Sequence, residues 1–536
     1  MRQLAILFVI LVTYAAGSVS DAAARGAAEK RASGGANAQL GTVNFPTSCG
    51  APVQERMEKG VALLHSFQYQ QAETAFSEAA QQDPQCAMAR WGEAMALYHQ
   101  LWDFPDNGTV AKGRGYVGDA QRLGGKTERE RDYIAAAATF YANNGKLSHA
   151  ARVEAYARAM DKVRRDSPED VDAAAFYALA LVNLASYQDE LPNRKKAIAI
   201  LEELFERHPD HPGVAHYLIH ATDTPELAPQ GLAAARAYAT IAPDSSHAIH
   251  MPSHIFTRLG LWQESIDSNI AAAAAAAKAT AAHQADADYQ FHAMDFLDYA
   301  YLQSGQEAKA RQVVADLKNV VGASTEDMAD HEGWFSARNA LELHRWKEAA
   351  SLQVPNVKLT WQDSTYFARA IGAARSGDAK AARADLKKLE EIEGAQHHEM
   401  KHMGYGSSSE KPIEQQKAEA WVEFAEGKKD EAVKTLRMAS EREESAGVDS
   451  LSMPAREMLG DMLMELKRPS EALEAYRLGL RESPNRFDGL WGAAQAARGA
   501  GNEEAAKEYS AKLVEISGAS GDRPELQEAR GYLAAK

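Results

Sequence analysis

The stretch from Val53 to Pro84 constrains this chain more than any other, because it fits one helix–turn–helix unit of about 34 residues. Gly60 and Leu63 fall in the first helix, Tyr69 follows the turn, Ala72, Phe76 and Ala79 space the second helix, and Pro84 closes it. The spacing recurs. Ala197 to Pro209 repeats Ala72 to Pro84, and Gly260, Trp262 and Ala272 fit a later unit. Gly305, Ala310 and Leu317 fit again, as do Gly377, Ala382 and Leu389, then Gly427, Ala432 and Ala439. The clearest late copy is Gly460, Leu463, Ala472, Tyr476 and Pro484. Leu490-Trp491-Gly492 then opens a last unit as Trp91-Gly92 opens the second. One such hairpin cannot bury its apolar face alone, whereas stacked hairpins share a continuous core.

The pattern resembles the tetratricopeptide repeat (TPR) family over most of residues 50–535. The copies are weak near 110–175 and near 331–355, where Pro355 cuts a second helix short. The resemblance implies an all-α fold, an α-solenoid of TPR-like helical hairpins forming a right-handed superhelix. Its first helices line a concave face where partners bind. Abundant Ala and only 18 Pro agree with a helical chain. The Ala-rich run 270–282 is expected within a second helix. Hairpin groups are expected at 46–165, 166–325, 326–445 and 446–536. Loops are expected at 103–108 and at 396–412, the latter carrying His397, His398 and His402 as a solvated insertion or a flap.

Residues 1–20 read as a signal peptide, with Arg2 before a short apolar run, and 21–45 as a disordered lead-in. No later segment is apolar enough to span a bilayer, so an exported protein, periplasmic or extracellular, is expected. Only Cys49 and Cys86 are present, and in an oxidising compartment the pair suggests one disulfide. The formal charge of −16 argues against a nucleic-acid backbone as partner.

Most of the chemistry lies between His208 and Asp298. The runs HPDHPGVAHYLIHATD, HAIHMPSHIFTRLGLW and FHAMDFLDYAYLQSG stand at three successive helix starts. They supply His216, His220 and Asp223, then His247, His250 and His254, then His292, Asp295 and Tyr299. Counted in the repeat register, most of these fall where first helices of the TPR family face the groove. His216/His220 and His250/His254 are i,i+4 pairs, each stacked on one helix face. These four histidines are expected to converge on one transition metal, with Zn, Cu or Fe suited to imidazole. Asp223 or Asp295 could ligate, orient a ligand or act as a base. His65 and His99 are expected to pack locally.

Other motifs are thin. HYLIH lacks the Glu of HExxH, and Gly113 to Gly118 matches GxGxxG with no strand before it. The histidine runs and the ending SPNRFDGLWGAAQAARGAGN look like a group of exported bacterial TPR proteins, a resemblance that implies an architecture but no substrate. Two functions fit. One is a binding module whose histidine-rich groove takes a ligand, peptide or protein, with or without a metal. The other is a metal-dependent enzyme, a hydrolase or oxidoreductase, with the cluster as its active site.

Overall fold

Phe76 shows how the repeat sequence becomes structure. Its ring lies between two helix backbones, so close that a Cβ at Gly60 would sit 2.6 Å from it and one at Gly92 2.3 Å. Tyr476 repeats the arrangement 400 residues later, at 2.6 Å from Gly460 and 2.3 Å from Gly492. Gly60 and Gly460 thus occupy equivalent places. Each large ring on a second helix locks into glycines on the first helices either side of it.

The computed structural model describes residues 38–101, 105–142, 147–188, 190–402, 410–446 and 451–535. Contacts divide the chain into residues 1–39 and residues 40–536, and every helix named here belongs to the second unit. The fold is an all-α solenoid of helical hairpins, with no strand among the described residues. None of the described helices is long and apolar enough to cross a membrane. The expected signal peptide lies outside the described residues, as does most of the lead-in. Leu40 and Phe45, expected within that lead-in, are instead buried, with Phe45 stacked on Trp91. Cys49 and Cys86 form a disulfide (S–S 1.99 Å) that joins the start of the first hairpin to the N-cap of helix Ala87–Ala96.

Several local expectations hold. The Ala-rich run falls in helix Trp262–Ala281, and the GxGxxG match is interior to helix Asn107–Leu123. The insertion at 396–412 differs, because helix Ala379–His402 runs on through its first residues. That helix is dense in Ala, Lys and Glu, good helix formers, and these outweigh the break suggested by the glycines further on.

The solenoid also returns on itself. Helix Gln54–His65 packs against helix Pro212–Thr222, where a Cβ on Gly213 would lie 2.3 Å from His65 Nδ1. Towards the C-terminus, Trp262 Nε1 donates to the Asn485 carbonyl at 2.8 Å, and Phe487 sits against Gly305. These contacts join residues far apart in the chain, up to 223 positions for Trp262 and Asn485, and they bury part of the face expected to be an open groove, His216 among it.

Candidate functional site

Four short pieces of helix position the histidines. Pro212 begins helix Pro212–Thr222, a place where its missing N–H costs nothing, and that helix carries His216 and His220. Ser245 Oγ accepts the Ala248 N–H at 3.2 Å and starts helix Ser246–His250, with His247 and His250. Pro252 interrupts this segment, and a new helix, Pro252–Leu259, carries His254. Helix Asp288–Gln303 brings His292.

The rings gather into two sets, His216/His220/His247 and His250/His254/His292. Within each set, one nitrogen per ring lies within 4.8 Å of the other two. In the first set, His216 Nδ1 is 2.6 Å from the His65 carbonyl oxygen. A carbonyl has no proton to give, so this nitrogen donates, and Nε2 of the neutral ring is left with a bare lone pair. That Nε2 lies 3.2 Å from Nε2 of His247. His220 Nε2 is shut off from solvent with no hydrogen-bond partner.

The second set is tighter. Asn269 Nδ2 donates to the Ser265 carbonyl at 2.8 Å, which turns its Oδ1 towards His250 Nδ1, 2.7 Å away. Asp223 Oδ2 accepts from His254 Nδ1 at 2.9 Å. Each ring is held at Nδ1 by its partner, and the two Nε2 atoms stand 3.1 Å apart. Two nitrogens bound to one tetrahedral zinc ion at ~2.0–2.1 Å would be about 3.3 Å apart.

Burial keeps five of these rings neutral. Burial lowers His216 to about 3, and burial lowers His292 likewise to about 3. His220, His247 and His250 are pushed well below the usual range by burial and then by neighbouring histidines. Burial opposes charge on Asp223, but Arg258 and His254 outweigh it and hold the carboxylate ionised. Arg258 Nε sits 2.8 Å from Asp223 Oδ1, so this carboxylate is occupied on both oxygens.

Two further groups of metal-ligating residues behave differently. Asp172 Oδ1 receives His65 Nε2 at 2.8 Å and His211 Nε2 at 3.3 Å. His65 Nδ1 meets Tyr217 Oη at 2.9 Å, and His211 Nδ1 accepts the Val214 N–H. Every ring nitrogen there has a partner of the right polarity. Glu342, Glu457 and Asp488 are matched by Arg486 and Arg523 at 2.8 Å each. In the six-histidine cluster, by contrast, ring nitrogens of His216 and His247, and of His250 and His254, face one another at 3.2 and 3.1 Å.

The structure thus brings together His216, His220, His247, His250, His254 and His292, with Asp223 holding His254 from behind. It separates them into two sets rather than gathering four around one point. Asp295 and Tyr299 are not part of the cluster. Asp295 pairs with Arg338 at 2.6 Å, and Tyr299 is buried against Arg486. Their helix turns these residues towards the neighbouring hairpins instead. The cluster is half covered: His216 is 0% exposed and His247 and His250 are each 2% exposed, whereas His220, His254 and His292 are half-buried. Phe67, in the left-handed region at φ 51, lays its ring 4.4 Å from that of His216 and 5.6 Å from that of His247. Sequence reasoning missed Phe67, Asn269 and the His65 carbonyl. A lone Asn in the Ala-rich helix was the one available signal for Asn269. His99 stacks on nearby Tyr69, as expected.

Two stretches, 57–101 and 417–487, match the tetratricopeptide repeat family. Chains of similar fold include the human IFIT1 dimer with PPP-AAAA, at 13% identity and TM-score 0.33, covering 85% of this chain and 89% of that one. Another is Cut9 in the APC/C Cut9–Hcn1 hetero-tetramer, at 11% identity and TM-score 0.29, covering 90% and 96%. Comparison with the curated proteins gave no match. Repeat solenoids of this kind are scaffolds that bind proteins and ligands.

Proposed function

We propose that this protein is an exported solenoid that binds a transition metal through its buried histidine cluster. The observation that carries the reading is the pair His250 and His254, whose Nε2 atoms meet at 3.1 Å while Asn269 and Asp223 hold their Nδ1 atoms from behind. That leaves the two Nε2 atoms placed to share one cation as ligands. Imidazole ligands without thiolate suit zinc, copper or iron. The outer partners Asn269, Asp223 and the His65 carbonyl fix ring orientation, as such partners do around metal-bound histidine. Export is supported by the apolar N-terminus and by the Cys49–Cys86 disulfide, a bond at home in oxidising compartments.

Metal analysis of the purified chain, before and after loading with zinc or copper and dialysis, tests the proposal. Replacing His220 and His254, both only partly buried, by Ala removes a donor from each set. The double variant is expected to lose metal uptake while its helical circular dichroism persists. A wild-type chain that takes up neither metal refutes the reading. Sequencing the mature N-terminus tests export.

A further inference from the structure

The two histidine sets are neighbours as well as copies. Ring centroids of His220 and His254, from different sets, are 6.0 Å apart, and so are those of His247 and His250. Within the sets the centroids are 4.3 Å (His250–His292) to 6.5 Å (His220–His247) apart. The two sets therefore adjoin, ring beside ring. Each set offers three imidazoles, and a four-coordinate ion held by three protein ligands keeps its last position for something else.

Charge says what that something is. Six neutral imidazoles cancel none of the charge of two divalent ions. The acid nearest the rings, Asp223, has both oxygens taken by His254 and Arg258, and the guanidinium neutralises it. Buried charge of one sign is costly without a counter-charge. Resting on the metal-binding reading above, we propose that the cluster is a dinuclear centre: each set of three histidines holds one metal ion, and a small anion such as hydroxide bridges the two remaining positions. No electron transfer or bond cleavage is implied; the anion binds as a ligand.

Copper(II) loading of the full chain, followed by metal-to-protein stoichiometry and electron paramagnetic resonance, with azide as the probe anion, separates the outcomes. The expected result is two copper ions per chain, with a resonance signal far below the sum of two isolated ions because the bridge couples their spins. Azide is expected to perturb that coupling. His292→Ala, which touches the second set alone, is expected to lower the stoichiometry from two to one and restore a full mononuclear signal. One copper per chain in the wild type overturns the dinuclear centre but leaves metal binding intact. Two copper ions with full, uncoupled signals that ignore azide also overturn it. No uptake at all removes the underlying reading together with this one.

Discussion

His250 and His254 point their Nε2 atoms at each other across 3.1 Å, each held by a hydrogen bond from its Nδ1 to a partner behind it. For His250 that partner is Asn269, whose own amide is fixed by the Ser265 carbonyl. The arrangement is held from outside the cluster, so it can be loosened there without touching a ligand. Asn269→Ala is expected to weaken metal affinity about 10- to 100-fold. Asn269→Asp, which keeps an acceptor for His250, is expected to recover most of it. A competition titration with a chromophoric chelator measures both. Equal affinities for wild type and Asn269→Ala would show that the orientation does not matter.

Stability of the metal-free chain should fall in acid before the carboxylates titrate. Burial lowers His65 to about 4, and burial lowers His149 to about 4. In the unfolded chain both titrate near 6.5. Between these values the unfolded state binds more protons than the folded one, so stability rises with pH through this window and drops as pH descends through it. His65 alone accounts for on the order of 3 kcal/mol. Urea midpoints with chelator present are expected to decrease steadily from pH 7 to pH 4.5. A flat profile over that range would contradict neutral burial of these rings.

How much of this was legible in the chain follows from distance along it. The lock of Phe76 between Gly60 and Gly92 is local, and so is its copy at Tyr476. Their spacing could be read directly. The pairing of His250 with His254 was equally local. The division of the cluster was not, because it depends on His247 joining His216 across one hairpin and His292 joining His250 across the next. Burial was less legible still. His216 is covered because residues 65–69 pack over it from 150 positions away, and a repeat pattern carries no signal for such a return. Asp295 and Tyr299 share the register of the histidines, but Arg338 and Arg486 claim them. That choice belongs to the neighbouring helices.

The Cys49–Cys86 bridge closes a separation of 37 residues. On the chain-entropy account such a loop contributes roughly 4 kcal/mol. Cys86 also caps helix Ala87–Ala96 through its sulfur. Cys49→Ala, which spares that cap, is expected to lower the free energy of unfolding, read from urea denaturation, by about this amount. Thiol titration of the unreduced, denatured wild type is expected to find no free thiol, and two free thiols would refute the bridge.

The sharpest stability prediction concerns Arg486, where the C-terminal hairpins meet the middle of the chain. Its guanidinium is buried and bonds Glu342, Glu457 and Tyr299. Burial already raises Glu457 to about 7, although Arg486 pulls the other way. Arg486→Met leaves two carboxylates in the interior without a counter-charge. Breaking a buried pair in this way costs about 3–5 kcal/mol. The loss should depend on pH with a definite sign. Without Arg486 the folded-state value of Glu457 rises further above its unfolded value, so protonation relieves the defect. The variant is therefore expected to lie furthest below wild type at pH 8 and to regain part of the difference by pH 5. Adding Glu342→Gln and Glu457→Gln to Arg486→Met removes the stranded charges and is expected to recover much of the loss at pH 8. Urea unfolding of the three chains at both pH values decides it. A deficit that is the same at pH 5 and pH 8, and untouched by the glutamines, would mean that lost packing rather than stranded charge explains the variant.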